Sequence, residues 1–545
     1  MFTSNLTGTQ SSPITVSSYP GEWAKVDGYR EYVLANALSL SASSVTFIDA
    51  TGLSTGMRVM FGTITTAAIN NGAETVLLTT QTGPNTFNIV RGWDGTNANS
   101  FSAGIIGFVP GGSSAILTLN GSDTIYRDFE LYHSGLPRAF FYNIFAPSSR
   151  IGAKPDGVEV SNTASRTKYI NLVIHDAREG FNAEQGAADV EFYGNLIFNN
   201  GQVDICRGHG HGLYLQSQNG YKKVTDNISA NNFATGMKTF GYTAFGNNVD
   251  YIGNISFGNG SPGAYAGSPF TTTSDPCQEM YTPMDREPNI FAGTGSNALN
   301  NIKVINNYTY HSPGTWVQFA NVNMGWNEDT GPNQNLTVQG NYIVGGLTAF
   351  RMKGWSTATV TGNTMYGEFV SGHDNWGPVD LGYGQATSHS YSWNNNTYYY
   401  TGSATPFDLE GSPPQKDFPG WTAATGFDSN SSYAAGKPTG IKVFIRPNLY
   451  QAGRANIAVY NWDRANSVNV DLSQAGLTNG QPYEIRNGLN YFGAPVLTGT
   501  YSASSPVVSL SMTSAAATAV ATPIGHSYTP ATTLPDFGVF VVVPR

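Results

Sequence analysis

The stretch EFYGNLIFNNG at residues 191–201 decides the fold, because its pattern returns along much of the chain. An alternation of apolar and polar residues leads to Asn195, an apolar pair follows, and a turn closes the unit. The same order occurs in VDYIGNISFGNG at 249–260 and in ATVTGNTMYGEF at 358–369. Alternation with a period of two is typical of strands, and a short repeat buries its apolar face only by stacking on its copies.

An asparagine anchors each of these repeats. The anchors are Asn171, Asn195, Asn227, Asn254, Asn306, Asn341, Asn363 and Asn396. The shortest spacings are 22 residues (Asn341 to Asn363) and 24 residues (Asn171 to Asn195), so longer spacings indicate coils with inserted loops. An asparagine at the same point of every coil predicts an internal amide ladder at a bend. We therefore predict an all-β chain, and residues 113–415 resemble a right-handed parallel β-helix.

Smaller β domains are predicted on either side of this solenoid. Residues 1–112 are expected to form an N-terminal β module or cap, and RGWDGT at 91–96 is similar to small modules of phage tail and virion proteins. The stretch GSPPQKDFPGWTAATG at 411–426 is rich in Pro, Gly and Ser, so a linker is predicted at 416–437, and longer strands follow it. Residues 438–545 are therefore expected to form a C-terminal β-sandwich, with capping of the solenoid favoured over sugar binding.

Composition excludes several classes of partner. The chain of 545 residues has 12% charged residues and a net charge of -9, without the clustered Lys and Arg that nucleic-acid binding needs. No apolar run is long enough for a membrane span. The composition suits a secreted protein whose signal peptide is absent from this chain. Pairing of Cys206 with Cys277 and two free buried thiols are equally open.

One face of the solenoid collects polar and aromatic residues. Aligning the second strand of each coil predicts one outward column of Glu159, Asn182, Tyr214, Lys238, Gln318, Arg351, Asp380 and Asp408, and a second of Ser161, Glu184, Gln216, Phe240, Lys353 and Glu410. Long insertions at 199–211, 258–300, 320–334 and 367–378 are expected along the same edge, and Trp326 lies in the third. Such a face is either a substrate groove or an ordinary solvated sheet.

The segment RGHGHG at 207–212 places His209 and His211 beside Glu184 of the preceding coil. Three interpretations stay open. The histidines assist acid–base chemistry together with Asp204 or Glu184, or they bond backbone carbonyls in a turn. A His-x-His pair also binds metals in many proteins, but the spacing offers no third ligand, so a divalent ion such as Ca²⁺ stays undecided.

Two motifs extend the resemblance to carbohydrate-active proteins. The sequence GHG at 210–212 or 208–210, together with RMK at 351–353, is similar to motifs of the pectate-lyase-like and polygalacturonase-like superfamily. The chain departs from that pattern because the motifs lie several coils apart and no paired-Asp motif lies between them. The resemblance implies a polysaccharide or oligosaccharide partner.

These observations predict a secreted glycoside hydrolase that uses paired carboxylates. The catalytic candidates are Glu184 with Glu159 or Asp204, assisted by His209 and His211. The candidates for substrate binding are Asn182, Tyr214, Gln216, Lys238, Phe240, Gln318, Trp326, Arg351, Lys353 and Asp380. A polysaccharide lyase acting on a uronate polymer, and a non-catalytic glycan-binding adhesin or phage-tail-like protein, are the alternatives. The oligomeric state is left open.

Overall fold

Three long parallel sheets form the body of the protein. The computed structural model describes residues 2–62, 72–93, 95–109, 115–134, 154–203, 208–260, 287–312, 314, 320–325, 333–346, 348–369, 377–382, 390–402, 404–409, 415–513 and 532–545. The chain visits the three sheets in turn, adding one strand to each before it starts the next coil. This is the predicted parallel β-helix.

The strands of each sheet follow one another along the solenoid in chain order. Sheet 1 contains Phe2–Ser4, Ala115–Leu119, Asp156–Val160, Phe181–Ala183, Leu213–Leu215, Met237–Gly241, Ile290–Thr294, Val322–Met324, Thr348–Met352, Gly377–Leu381 and Phe407–Leu409. Sheet 2 contains Ile14–Ser17, Thr124–Arg127, Lys168–Ile170, Val190–Tyr193, Lys222–Thr225, Val249–Ile252, Asn300–Ile305, Gln334–Gln339, Thr357–Thr361 and Ser390–Asn394. Sheet 3 contains Lys25–Asp27, Glu130–Tyr132, Val173–His175, Leu196–Phe198, Ile228–Ala230, Ile255–Phe257, Tyr308–Tyr310, Tyr342–Val344, Thr364–Gly367, Thr397–Tyr400 and Ser432–Ala435.

The interior of the solenoid is a continuous apolar core. In sheet 2, Tyr169, Phe192, Val224 and Tyr251 occupy aligned positions on successive strands and are fully buried. The rings of Tyr169 and Phe192 stack with centroids 5.3 Å apart. Because the strand period is two, the same register that aligns these rings inside places their sequence neighbours outside.

An asparagine ladder lines the bend between sheets 2 and 3. Asn254 is fully buried, and its Oδ1 accepts hydrogen bonds from the backbone N–H and the Nδ2 of Asn227, each 3.0 Å long. Its own Nδ2 donates to the Oδ1 of Asn307 and to the carbonyl of Val224. The ladder consists of Asn195, Asn227, Asn254, Asn307, Asn341, Asn363 and Asn396. Each member satisfies buried backbone groups of its neighbours.

Two predicted anchors are one residue away from the ladder. Asn171 and Asn306 adopt positive φ angles of 54° and 52° at the turn before the ladder position. Asn307 is the ladder member, and Leu172 occupies the equivalent position after Asn171. The prediction was wrong at these positions because asparagine suits both the left-handed turn and the ladder.

A second ladder, which sequence analysis missed, lines the bend between sheets 3 and 1. It consists of Asn200, Asn232, Asn259, Asn289 and Asn321, and each Nδ2 donates to the Oδ1 of the next. Glycines begin the adjacent sheet 1 segments. A Cβ on Gly212 would lie 2.4 Å from the carbonyl oxygen of Gly236, so only glycine fits this bend.

The N-terminal residues contribute to the solenoid before they build a separate sheet. Residues 2–27 supply the first strand of each long sheet, although sequence analysis assigned them to the N-terminal module. A six-stranded antiparallel sheet follows, in the order Tyr32–Val33, Ile106–Phe108, Arg58–Phe61, Glu74–Gly83, Thr86–Trp93 and Ser44–Thr46. This sheet is thus an insertion between the first two coils, because the chain returns to the solenoid at Ala115.

The C-terminal sandwich lies along the side of the solenoid. A sheet of Ile441–Pro447, Ala455–Asn461, Phe537–Pro544, Pro482–Asn487 and Leu497–Thr500 faces a pair of strands, Ser467–Asp471 and Val507–Ser511, with a short 3₁₀ helix at Leu472–Gln474. Its aromatic residues pack on the outer face of sheet 3, where Tyr310 stacks on Phe537 at 4.6 Å. The sandwich therefore covers a side of the solenoid.

An α-helix closes the C-terminal end of the core instead. It spans Phe418–Thr425 within the predicted linker, begins at the N-cap Asp417 and ends at Gly426. The fully buried Trp421 packs against Phe407 and Trp393 of the last coils. Among the residues that the structure describes, no helix has the length and apolar character that a bilayer crossing demands.

We expect Asn254→Ala to lower the free energy of unfolding by about 3 to 5 kcal/mol, because buried donors and acceptors on two neighbouring coils lose their partners. Urea unfolding followed by circular dichroism measures this loss. Asn219→Ala, which truncates an exposed asparagine of the same solenoid, is the control. Equal destabilisation by both substitutions would contradict a structural role for the ladder.

Candidate functional site

A single row of side chains runs along the outer face of sheet 1. We call it the outer column, and the strand register defines it as Glu159, Asn182, Tyr214, Lys238, Phe291, Asn323, Arg351, Asp380 and Asp408. Adjacent members lie about 4.8 Å apart along the solenoid. Most are partly exposed, whereas their strand neighbours Val158, Phe181 and Leu213 are fully buried.

The strand alignment made from the sequence agrees with this register except in the middle of the column. Residues 317–320 were assigned to the column through Gln318, but the strand is Val322–Met324 and Asn323 holds that position. Phe291 was missed because 258–300 was interpreted as one insertion, although Ile290–Thr294 is a strand of sheet 1. Both errors arise where long connections hide a short strand.

Long connections cluster where the chain passes from sheet 3 to sheet 1. The strands of sheet 1 that begin at Asp156, Leu213, Ile290, Val322 and Gly377 all follow such connections. The predicted insertion at 320–334 is different, because it contains the strand Val322–Met324 and then leads to sheet 2 at the opposite edge. Connections at one edge of a regular array are common positions for functional residues.

A network of charged groups surrounds the N-terminal end of the outer column. Arg178 forms a buried ion pair with Asp156, with Nη2 and Oδ2 2.6 Å apart. The other carboxylate oxygen of Asp156 accepts the backbone N–H of Glu179 at 3.2 Å. Glu179 in turn accepts the backbone N–H of His211. This network fixes the connection that precedes the strand Phe181–Ala183.

Burial raises the pKa of two carboxyl groups at this end of the column, so that they hold their protons at neutral pH. The pKa of Glu159 is raised to about 8, mainly by burial and further by the negative charges of Asp156 and Glu184, against the opposing effect of Arg178. Burial also raises the pKa of Glu179 to about 8. A carboxyl group that stays protonated at neutral pH is able to donate a proton to a bound molecule.

Glu184 lies two residues beyond the outer column, at the start of a tight turn. The backbone N–H of Ala187 donates to the carbonyl of Glu184 at 3.3 Å, and Gly186 donates to Asn162 of the preceding coil at 2.8 Å. From inside the solenoid, the fully buried Lys222 donates through Nζ to the carbonyls of Glu184 and Ala187 at 3.0 and 2.6 Å. The backbone that carries Glu184 is therefore held from three sides.

Aromatic and cationic groups continue the site on the next coils. The rings of His211 and Tyr214 stack with centroids 5.5 Å apart. Lys238 Nζ lies 5.1 Å from the ring centroid of Phe240 and 5.3 Å from that of Phe291. Gln216 is partly exposed two residues beyond Tyr214. Flat rings beside polar groups form a surface on which sugar rings are able to stack.

A second cluster of charged residues lies at the C-terminal end of the outer column. Arg351 Nε and Asp380 Oδ2 are 2.6 Å apart, and the carboxylate is almost fully buried. Burial, together with the charge of Asp380, raises the pKa of Asp408 to about 6. Lys353 is buried beside this group.

Several predicted residues lie outside the described residues. These are Asp204, Cys206, Cys277, Gln318, Trp326 and Glu410. For His209 only the backbone is described, in a strand Gly208–His209 paired with Gln202–Val203. Within the described part of the chain, no group of three or more His, Cys, Asp or Glu residues is placed to hold a metal ion.

Sequence reasoning missed the residues that support the site from behind. Asp156, Arg178, Glu179 and Lys222 belong to the charged network or hold its backbone. The segment DAREG at 176–180 was a usable signal, since charged residues are rare in this chain and these lie beside a predicted groove strand. Nothing in the alternating pattern of Lys222–Thr225 distinguishes an inward lysine from a solvated one.

Comparisons with known proteins find structural similarity without sequence similarity. No protein-family model matches the chain, and no curated protein matches it. Solved structures with some similarity include the Gp54 tailspike of Acinetobacter baumannii bacteriophage AP22 in complex with a capsular saccharide, with 10% identity over 98% of this chain and 84% of that one and a TM-score of 0.26. The tailspike gp49 of Pseudomonas phage LKA1 has 10% identity over 95% and 82%, with a TM-score of 0.21. The Dettilon tailspike gp208 has 11% identity over 79% and 81%, with a TM-score of 0.30. Similarity at this level does not bear on activity.

We expect Glu159→Gln to change how stability depends on pH. The pKa of Glu159 in the folded protein is about 8, above its unfolded value of 4.5, so its contribution to stability is complete below the unfolded pKa and is lost as pH rises through about 8. Glutamine carries no charge at any pH. As pH rises from about 5 to about 9, the free energy of unfolding of the variant should therefore increase by on the order of 3 kcal/mol relative to that of wild type. Urea unfolding at both values measures the difference, and a constant difference would contradict the raised pKa.

Proposed function

We propose that the protein cleaves a polysaccharide bound along sheet 1, as a glycoside hydrolase with Glu159 as general acid and Glu184 as its carboxylate partner. The observation that carries this proposal is the protonated carboxyl of Glu159, whose pKa of about 8 arises from burial beside Asp156 and Glu184. Glycosidases pair a carboxyl group that holds its proton with a second carboxylate at the scissile bond.

In the proposed reaction, Glu159 donates its proton to the glycosidic oxygen as the bond to the anomeric carbon breaks. Glu184 accepts a proton from the water that attacks that carbon from the other side. Glu184 lies two residues beyond Asn182, which pairs with Glu159 on the neighbouring strand. The Cα atoms of Glu159 and Glu184 are therefore about 8 Å apart. Cα atoms at this separation allow the two carboxyl groups to lie on either side of one glycosidic bond.

The neighbouring coils supply the groups for holding the sugar chain. The stacked pair of His211 and Tyr214 offers a ring face, and Asn182 and Gln216 offer amide groups on either side of Tyr214. From Glu159 to Asp408 the outer column crosses nine strands, a length of about 38 Å. A binding face of that length suits an extended polymer better than a small molecule.

Elimination from a uronate polymer is the weaker alternative. A lyase needs a cation to neutralise the carboxylate beside the departing proton. Arg178 and Arg351 already bind Asp156 and Asp380 at 2.6 Å. A panel of polysaccharides separates the reactions: new reducing ends alone indicate a hydrolase, unsaturated-uronate absorbance in addition indicates a lyase, and neither indicates a glycan-binding protein.

We expect Glu184→Gln and Glu159→Gln each to reduce kcat by at least about 10²-fold, because each removes one proton transfer. The rate of reducing-end release on the best substrate of the panel measures the loss. Melting temperatures should show that both variants stay folded. Glu22→Gln, which alters an exposed carboxylate on the first coil, should keep wild-type activity. Wild-type turnover in either groove variant would remove that residue from the mechanism.

The pH profile offers an independent check of the general acid. Because Glu159 must be protonated to act, kcat/KM should fall as pH rises through about 8. This descending limb should disappear from the residual activity of Glu159→Gln. Persistence of the same limb in the variant would assign it to another group.

A further inference from the structure

We propose that the groove selects a glycan that carries no carboxylate or sulfate groups. This inference rests on the proposed function, because it assumes that sheet 1 binds a polysaccharide. It follows from how the positive and negative groups of the outer column and its network are paired in the described residues.

The guanidinium groups of Arg178 and Arg351 beside the groove already form ion pairs with carboxylates of the protein. The Arg178 and Asp156 side chains retain 8% and 4% of their exposure, and Arg351 and Asp380 retain 11% and 1%. A uronate that bound either arginine would have to displace its partner and leave a buried carboxylate without a counter-ion. Breaking a buried pair in this way is strongly unfavourable.

The two lysines on sheet 1 are also engaged or covered. Lys238 lies against the rings of Phe240 and Phe291, which accept a cation on their faces. Lys353 is only 6% exposed. Among the described residues, the cations beside the groove are therefore paired with a carboxylate, held against aromatic rings or buried.

Two acidic side chains, in contrast, retain exposure to the groove. Glu184 and Asp408 are each partly exposed on the outer face of sheet 1, whereas the partly exposed Glu159 stays protonated at neutral pH and adds no charge. Close approach of an acidic sugar to any ionised carboxylate among them is repulsive, and the groove's low-dielectric floor strengthens the effect. Hydroxyl and acetamido groups meet no such penalty, because carboxylates accept hydrogen bonds from them.

Matched glycans provide the direct test. Oligosaccharides are compared in pairs that differ only in charge: methyl-esterified against free oligogalacturonate, and unsulfated against sulfated galactan. Binding is measured by calorimetric titration of the Glu159→Gln variant at pH 7, which blocks cleavage without removing a negative charge, because Glu159 is protonated at that pH. We expect the uncharged member of a pair to bind at least about tenfold more tightly. We also expect binding of the acidic members to strengthen with added salt, because screening weakens repulsion.

Two substitutions should relax this selection. Asp380→Asn removes the negative charge that pairs with Arg351, and it should tighten binding of an acidic oligosaccharide about fivefold to tenfold relative to that of the uncharged one. Asp408→Asn removes a partly exposed carboxylate whose pKa is raised to about 6, so it should fold normally. At a pH above about 6, Asp408→Asn should also tighten binding of the acidic oligosaccharide.

The outcomes separate this inference from the proposed function. Tighter binding of the acidic members, or binding of acidic members that weakens with salt, would overturn the selection while leaving glycan cleavage intact. Selection for uncharged members without cleavage by wild type would support the inference and remove the hydrolase. Absence of binding to every glycan of the panel would overturn both.

Discussion

Each coil of this protein depends on its neighbours to satisfy buried polar groups at the corners. Straight strands bond to the next coil through their backbones, but bends leave N–H and carbonyl groups pointing into the stack. Two asparagine ladders solve this problem, one between sheets 2 and 3 and one between sheets 3 and 1. A side-chain amide that both accepts and donates along the stack fixes the height and the register of successive coils.

That shared register makes a site possible. Glu159, Asn182 and Tyr214 are far apart in the chain, yet they lie in one row because their strands pair residue by residue. The same stacking buries charges that would otherwise be hydrated. The raised pKa of Glu159 is a consequence, because this carboxyl group shares a partly dry floor with other carboxylates.

The C-terminal sandwich decides which face of the solenoid is covered. Tyr460 of the sandwich donates through its hydroxyl to the carbonyl of Thr309, and Arg446 forms an ion pair with Asp226 at the neighbouring corner. The outer face of sheet 3 is therefore aromatic and buried. The polar outer face of sheet 1 lies on a different side, where long connections enter its strands.

The sequence alone determined the parallel β-helix, because every coil meets the same constraints when it stacks on its neighbours, and these appear as a repeat of alternating strands and asparagines. It also placed Glu159, Asn182, Tyr214 and Lys238 in one row, since a period of two decides which side chains share a face. Only the tertiary structure decided between Asn306 and Asn307, because adjacent asparagines suit both a left-handed turn and a ladder. Likewise, the pairing of Arg178 with Asp156 and the side-on position of the sandwich depend on contacts between segments distant in the chain, which no local pattern encodes.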